Sequence, residues 1–220
     1  MILTSKKLLK KMFPRFWLYV RVIKLLVKNE NSYLHASGWI KSVKEQRPLS
    51  PDGNELPWMN YPIIAFLQER LSKELTIFEF GSGYSTLFFA KRAKSVMSVE
   101  YDDTWFQLIN KNLPENAQII FKQKDIDGEY CRVIQSTGKQ FDVVVVDGRD
   151  RVNCIKQSID ALSDRGVILL DDSQREYYSD GINHAIEKGF SPLSFEGLKP
   201  TDTGVDKATI LYRRNNCLNL

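Results

Sequence analysis

From residue 63 onward, short apolar runs alternate with segments whose apolar residues recur at helical spacing. Uninterrupted apolar runs are typical of strands that are buried on both faces of a parallel sheet. The predicted strands are 75–80, 95–99, 117–121, 141–147, 167–171, 190–196 and 207–212, and the predicted helices are 63–73, 84–93, 103–112, 151–163 and 179–188. This alternation indicates an α/β fold. Because no helix separates the last two strands, we expect them to form an antiparallel hairpin at one edge.

The first thirty residues have a different character, with a predicted helix over 5–28. Arg21, Lys24 and Lys28 share one face, and apolar surface lies beside it, supplied by Phe16, Trp17, Val20, Ile23 and Val27. Residues 1–30 carry eight Lys or Arg and a single acid, whereas the whole chain has a net charge of only +4. Either the helix packs on the domain, or it is a basic amphipathic helix that lies on an anionic membrane or binds another polyanion.

Residues 44–62 contain four prolines and predict a long loop between this helix and the α/β region. Loops of this length are often lids. The loop contains Trp58 and Tyr61, and Trp39 lies shortly before it. These three aromatic residues either line a pocket or anchor the loop on the core. We therefore divide the chain into an N-terminal basic helical extension with a lid loop, 1–59, and a main domain, 60–220.

The few cysteines and histidines limit the chemistry. Cys131, Cys154 and Cys217 are odd in number and far apart, which indicates a reduced, cytoplasmic chain. With only His35 and His184 beside them, we expect no zinc site of the usual kind. The apolar stretch 16–27 is too short and too charged to span a bilayer, and no cleavage site marks it as a signal peptide.

The most informative stretch is an apolar strand that ends in Glu79 and leads directly into Gly81-Ser82-Gly83 and a predicted helix. Glycine allows backbone angles and close approaches that a Cβ forbids. A turn at the carboxyl end of a strand is where an α/β sheet binds a nucleotide-like ligand. Dinucleotide enzymes have a third glycine in this turn, where the chain has Thr86. The turn therefore departs from the NAD-binding pattern.

This run of acid, Gly-x-Gly and helix resembles the first motif of the Rossmann-like, class I S-adenosylmethionine-dependent methyltransferases. The resemblance covers residues 60–212. It implies a Rossmann-like three-layer sandwich around a mostly parallel, seven-stranded sheet with an antiparallel C-terminal hairpin. It also implies that S-adenosylmethionine is the cofactor, held by Glu79, Gly81, Ser82, Gly83, Glu100, Asp125 and Asp147.

The roles of these acids differ. Glu100 ends the second predicted strand, where an acid accepts hydrogen bonds from ribose hydroxyl groups. The resemblance places Asp125 near the adenine amino group, and it places Glu79 near the amino group of the methionine part. Ser85, where the family has a third glycine, or Thr86 is a candidate for capping the following helix.

More acids follow the fourth and fifth predicted strands, where Asp147 and Asp172 are expected to face the transferred methyl group. In one interpretation Asp147 or Asp172 is a general base or substrate orienter, and Arg149 or Arg151 binds an anionic acceptor. We assign Asp147, Arg149 and Asp172 as catalytic residues. Arg151 has a second interpretation, a salt bridge to Asp147 or Asp171 that shapes the loop.

A metal is the other interpretation of these acids. Catechol-type O-methyltransferases hold a divalent ion with an Asp and an Asp-Asn pair, where this chain has Asp147 and Asp172-Ser173. Mg²⁺ or Mn²⁺ would suit such oxygen ligands. Serine is a poorer ligand than asparagine, so we assign no metal residues.

The expected function is methylation of an oxygen atom in a small-molecule or glycan-like acceptor, with no specific nucleic-acid partner. The expected location is the cytoplasm, with peripheral membrane contact through residues 5–28. Two alternatives to this function stay open. The first is a non-catalytic cofactor-binding domain that is recruited to a membrane or polyanion. The second is another transferase or an NAD-linked enzyme on the same fold.

Overall fold

A computed structural model describes residues 11–220, so residues 5–10 of the predicted N-terminal helix lie outside the described part. The helices are α1 (Pro14–Leu26), α2 (Tyr33–Ala36), α3 (Trp39–Glu45), α4 (Tyr61–Arg70), α5 (Tyr84–Ala90), α6 (Asp103–Asn110), α7 (Glu129–Ser136), α8 (Arg151–Ser158) and α9 (Ser179–Glu187). The strands are β1 (Thr76–Phe80), β2 (Ser95–Glu100), β3 (Ala117–Phe121), β4 (Phe141–Val146), β5 (Leu162–Leu170), β6 (Ser191–Gly197) and β7 (Asp206–Tyr212).

The seven strands form one sheet in the order β3-β2-β1-β4-β5-β7-β6. Strands β1 to β5 pair in parallel. Strand β7 runs antiparallel to both β5 and β6, which confirms the predicted hairpin. Strand β1 lies between β2 and β4, so the order of the strands reverses there. In open α/β sheets this reversal opens a crevice at the carboxyl ends of the strands, and ligands bind in it.

Both faces of the sheet are buried. On β1, Ile77 packs on one face with Phe88 of α5, while Phe78 packs on the other with Tyr130 of α7 and Ile155 of α8. All five side chains are fully buried. This explains why the strands have uninterrupted apolar runs, and it confirms the predicted three-layer arrangement.

Several elements differ from the sequence prediction, including α2 and α3, which lie where no helix was predicted. Helix α7 was not predicted, because glycines flank a short segment, yet its buried Tyr130, Val133 and Ile134 follow helical spacing. Strand β5 begins at Leu162 rather than at residue 167. The preceding helix ends at Ser158, and Leu162 already pairs with Phe141 of β4.

The predicted lid loop is anchored to the domain. Met59 is fully buried in the core. The indole N–H groups of Trp39 and Trp58 donate hydrogen bonds to the carbonyl oxygens of Asp202 (2.7 Å) and Pro200 (3.0 Å). The anchoring interpretation of these tryptophans is therefore confirmed, and the loop contributes Met59 to the packed core.

Helix α1 stands apart from this core, because none of its residues is buried. Its C-terminal end is held by the Ser32 hydroxyl, which donates to the Leu26 carbonyl (2.7 Å), and by the His35 ring, 2.6 Å from the Val27 carbonyl. Within residues 11–220 the helix therefore buries no residue against the domain, and the two alternatives for it stay predictions. Over the same range, no helix is long and apolar enough to cross a membrane.

Candidate cofactor and acceptor site

Two glycine turns meet at the crevice. Gly81, directly after β1, has a φ of +94°, which favours glycine. A Cβ on Gly81 would lie 3.3 Å from the Cα of Gly148, which follows β4. The amide of Gly81 is fixed by a 2.9 Å hydrogen bond to the Val99 carbonyl of β2. The ends of three neighbouring strands therefore come together so closely that a side chain on Gly81 would crowd the backbone of Gly148.

Glu79 lies beneath this turn and is only 1% exposed. Its Oε2 accepts hydrogen bonds from the Thr86 hydroxyl (2.6 Å) and the Ser98 hydroxyl (2.9 Å). The Thr86 hydroxyl also accepts from the Gly83 amide (3.0 Å), so the predicted helix-capping role of Thr86 is confirmed. Burial raises the pKa of Glu79 to about 7. A cationic ligand group in the crevice would stabilise its charged form.

Glu100, at the end of β2, is 3% exposed and accepts four hydrogen bonds. Its Oε2 accepts from the amide and the hydroxyl of Ser82, both at 3.0 Å. Its Oε1 accepts from the amides of Tyr101 (2.8 Å) and Asp102 (2.9 Å). Three of the four donors are backbone groups that the fold holds in place. Only the Ser82 hydroxyl is free to rotate, so a ligand hydroxyl reaches Glu100 by replacing it.

Around these acids lies an open cavity of about 450 Å³, a size that suits a small-molecule site. Its lining includes Glu79, Gly81, Ser82, Ser85, Glu100, Tyr101, Trp105, Asp147 and Gly148. The sequence analysis missed Trp105 of α6. Its indole N–H donates to the Ser82 carbonyl (2.6 Å), and its ring lies 3.3 Å from where a Cβ on Gly83 would be. A tryptophan in the helix that follows Glu100 was the available signal.

A second cavity, of about 600 Å³, adjoins the first at Gly148. Asp125 lines it, but both of its carboxylate oxygens cap helix α7, accepting from the amides of Glu129 (2.7 Å) and Tyr130 (3.1 Å). Contact of Asp125 with adenine stays a prediction. Its Oδ atoms would have to accept a further hydrogen bond there.

Arg149 and Lys124 bring positive charge to the junction of the two cavities, and both side chains are exposed. The Arg149 Nε donates to the Tyr101 hydroxyl (3.0 Å), and its guanidinium group lies 5.2 Å from the centre of that ring. The Lys124 ammonium lies 5.9 Å from the same ring. Neither cation forms an ion pair with an acid of the described chain. Both are therefore able to pair with an anionic ligand.

Asp147 lines the first cavity, and its side chain is 25% exposed. Its Oδ1 lies 2.9 Å from the Nη2 of Arg151. Arg151 also donates to three backbone carbonyls, those of Asp147, Gly148 and Asp171. The salt-bridge interpretation of Arg151 is confirmed for Asp147. Burial raises the pKa of Asp147 despite this cation.

Asp172 lies in a cluster of cations instead. Its carboxylate is 2.7 Å from Arg175, 2.9 Å from Lys199 and 3.5 Å from Arg151. Hydrogen bonding to Lys199 and the surrounding positive charge lower its pKa, despite burial. Asp172 is therefore a weak base that holds three cations in place. The sequence analysis missed Lys199, which reaches the site from the loop between β6 and β7.

The acids that could hold a metal do not match the predicted set. Asp171, Asp172 and Asp206 approach one another within 4.8 Å, but the Lys199 ammonium already contacts Asp172 (2.9 Å) and Asp206 (3.3 Å). The Ser173 hydroxyl pairs with the Thr209 hydroxyl of β7 (2.7 Å). A cluster that is neutralised by its own lysine does not fit Mg²⁺. We derive no metal-dependent step from it.

Comparison with known proteins supports the fold. No family model and no curated protein matches the chain. Among solved structures, similar ones include an rRNA methylase from Streptococcus thermophilus, at 16% identity and a TM-score of 0.51, over 69% of this chain and 96% of that one. A proposed O-methyltransferase from Klebsiella pneumoniae is similar at 17% identity and a TM-score of 0.52, over 68% and 76%.

A third structure is similar over the same part of the chain. It is a precorrin-6y C5,15-methyltransferase from Geobacter metallireducens, at 12% identity and a TM-score of 0.51, over 68% of this chain and 86% of that one. The first and third of these proteins are described as acting on different substrates, an rRNA and a precorrin, so what the three share with this chain is architecture. The chain has the Rossmann-like fold of the class I S-adenosylmethionine-dependent methyltransferases.

Proposed function

We propose that this protein is an S-adenosylmethionine-dependent methyltransferase that acts on a hydroxyl group of a small-molecule or glycan-like acceptor. One arrangement carries the proposal, the pair of buried acids on either side of the glycine turn. Glu79 and Glu100 end adjacent parallel strands, and both line the same cavity. A ligand with an ammonium group and ribose hydroxyls matches these two acids better than a dinucleotide, whose phosphates are anionic.

The residues present fit this cofactor. Glu79 would hold the ammonium group of its methionine part, and Glu100 would accept from its ribose once the Ser82 hydroxyl has rotated away. Because Gly81 and Gly148 carry no side chains, a ligand in the cavity would approach the backbone of both turns closely. When bound, S-adenosylmethionine supplies a methyl group that is already activated by a positively charged sulfur. The protein therefore mainly positions the acceptor and takes up its proton.

Asp147 is the best candidate for taking up that proton. Its Oδ1 pairs with Arg151, while the carboxylate remains partly exposed to the cavity. Its raised pKa makes it a better base than Asp172, whose pKa is lowered by Lys199 and Arg151. Asp172 serves this site by holding those cations.

The unpaired cations suggest what else the acceptor carries. Arg149 and Lys124 flank Tyr101 at the junction of the cavities, without acidic partners among the described residues. A carboxylate or phosphate on the acceptor would pair with them, while the aromatic ring of Tyr101 would contact its apolar part. This favours an anionic, hydroxyl-bearing acceptor.

An acceptor screen with methyl-labelled S-adenosylmethionine tests this function. Hydroxylated compounds would be compared in matched pairs, with and without a carboxylate or phosphate group. We expect transfer to anionic members, a fall in kcat of about 10²–10⁴-fold in Asp147→Asn, and a higher KM in Arg149→Gln. Arg214→Gln, at an exposed position with no cavity contact, is the matched control. Cofactor binding without transfer to any acceptor would favour the non-catalytic alternative.

A further inference from the structure

Helix α1 presents an unusually apolar surface to solvent. Large apolar side chains that are buried elsewhere in the chain are exposed along its whole length and next to its ends. The exposed set comprises Met12, Phe13, Phe16, Leu18, Tyr19, Val20, Val22, Ile23, Leu25, Leu26 and Val27. The exposed fraction reaches 61% for Phe16 and 66% for Tyr19. A contiguous patch of this kind on a protein surface marks a site of interaction.

All charged side chains of the same helix are positive. At about 100° per residue, Arg21, Lys24 and Lys28 fall within a stripe of about 60°, and apolar side chains cover most of the remaining circumference. Lys11 and Arg15 add two positive charges near its start, and no acid occurs between Lys11 and Asn29. The helix therefore combines a broad apolar face with unopposed positive charge.

We propose that α1 lies in the surface of an anionic membrane and attaches the domain to it. The 13 residues described for α1 measure about 20 Å, which is shorter than the hydrocarbon core of a bilayer, about 30 Å. Lying in the plane of the surface, the apolar face enters the acyl boundary while the basic stripe meets lipid phosphates and carboxylates. Ser32 and His35 fix the end of α1 to the domain.

Other occupants match the surface less well. A second copy of the chain would cover the apolar face but would bring two basic helices together with no acid in either to compensate. A soluble polyanion would neutralise Arg21, Lys24 and Lys28 but would leave Phe16 and Ile23 in water. An anionic lipid surface satisfies both the apolar and the charged side chains.

Vesicle flotation of the full chain tests the proposal, using phosphatidylcholine vesicles with and without phosphatidylserine. We expect binding to the phosphatidylserine vesicles that weakens with salt. The triple variant Arg21→Gln, Lys24→Gln, Lys28→Gln should lose about 100-fold in partitioning, since each basic residue contributes roughly fivefold (~1 kcal/mol). Phe16→Asn with Ile23→Asn should abolish binding. Lys111→Gln, Lys139→Gln, Lys188→Gln is the matched control, because it removes the same charge from exposed positions elsewhere.

Several results would overturn the proposal. These are equal binding to both vesicle types, equal loss in the control triple variant, or no flotation at all. A dimer that Ile23→Asn dissociates, with no vesicle binding, would assign the surface to a second copy instead. Unchanged circular dichroism and urea unfolding of each variant would show that the domain remains folded, so this test is independent of the proposed enzymatic activity.

Discussion

Replacement of Glu79 by glutamine should change stability and ligand affinity in opposite directions. In the folded protein, burial raises the pKa of Glu79 to about 7, from an ordinary value of 4.5. Between those values the folded protein binds a proton that the unfolded chain does not, so stability is highest below about pH 4.5 and falls as the pH rises to about 7. This shift in the pKa of Glu79 lowers the free energy of unfolding by about 3 kcal/mol between the two pH values.

Glutamine has nearly the same shape but no charge, so it removes this penalty. At pH 8 we expect Glu79→Gln to be about 1–3 kcal/mol more stable than the wild type in urea denaturation without ligand. The full 3 kcal/mol is not expected, because the new amide must be accommodated by the Thr86 and Ser98 hydroxyls. At pH 5 the gain should nearly vanish, because the wild-type Glu79 is then largely protonated.

Affinity for S-adenosylhomocysteine should fall in the same variant. Its ammonium group loses a charged partner, and hydrogen bonds to charged groups contribute about 1.5–3 kcal/mol, which corresponds to a 10- to 200-fold weaker Kd by calorimetry. Glu74→Gln is the matched control, since Glu74 is exposed beyond the other end of β1. A glutamine variant that is less stable than the wild type at pH 8, or that binds the ligand equally well, would refute this reasoning.

Three further substitutions probe the same site. Ser82→Ala should strengthen S-adenosylhomocysteine binding about fivefold in calorimetry, because the ligand no longer has to replace the hydrogen bond from the Ser82 hydroxyl to Glu100, which contributes ~1 kcal/mol. Weaker binding would mean that the Ser82 hydroxyl itself contacts the ligand. Thr86→Val should lower the free energy of unfolding by about 2 kcal/mol, because it leaves the Gly83 amide without an acceptor and removes a donor to Glu79; unchanged stability would contradict the capping role. Arg151→Met should destabilise the protein by about 3–5 kcal/mol in denaturation, and adding Asp147→Asn should restore part of the loss; equal effects in the single and double variants would show that the pair is not coupled.

Much of the fold was predictable because the apolar runs in the sequence coincide with the strands that are buried in the structure. Strands such as β4 are buried on both faces, so their apolar runs are visible without knowledge of their neighbours. Helix α7 was missed because it is short, and its buried residues are recognisable only when the glycines on either side are read as its limits. Helix propensity alone does not define so short an element.

The site residues that lie at or directly after the end of a strand were predictable from the sequence. The structure brings Glu79, Gly81, Ser82, Glu100 and Asp147 to one cavity, as the alternation of strands and helices requires. Trp105 and Lys199 could not be predicted in the same way, because one lies on a helix and the other on a distant loop. Their contacts with Ser82 and Asp172 depend on tertiary packing. The cations around Asp172 are likewise brought together only by the fold.

Calorimetric titration of the full chain with S-adenosylhomocysteine and with NAD tests the central claim most directly. The account predicts micromolar binding of S-adenosylhomocysteine and no comparable binding of NAD. It also predicts that Glu100→Ala weakens S-adenosylhomocysteine binding by about 1–3 kcal/mol, since the ribose hydroxyl groups of the ligand would lose their buried acceptor. Tighter binding of NAD, or S-adenosylhomocysteine binding that Glu100→Ala leaves unchanged, would contradict it.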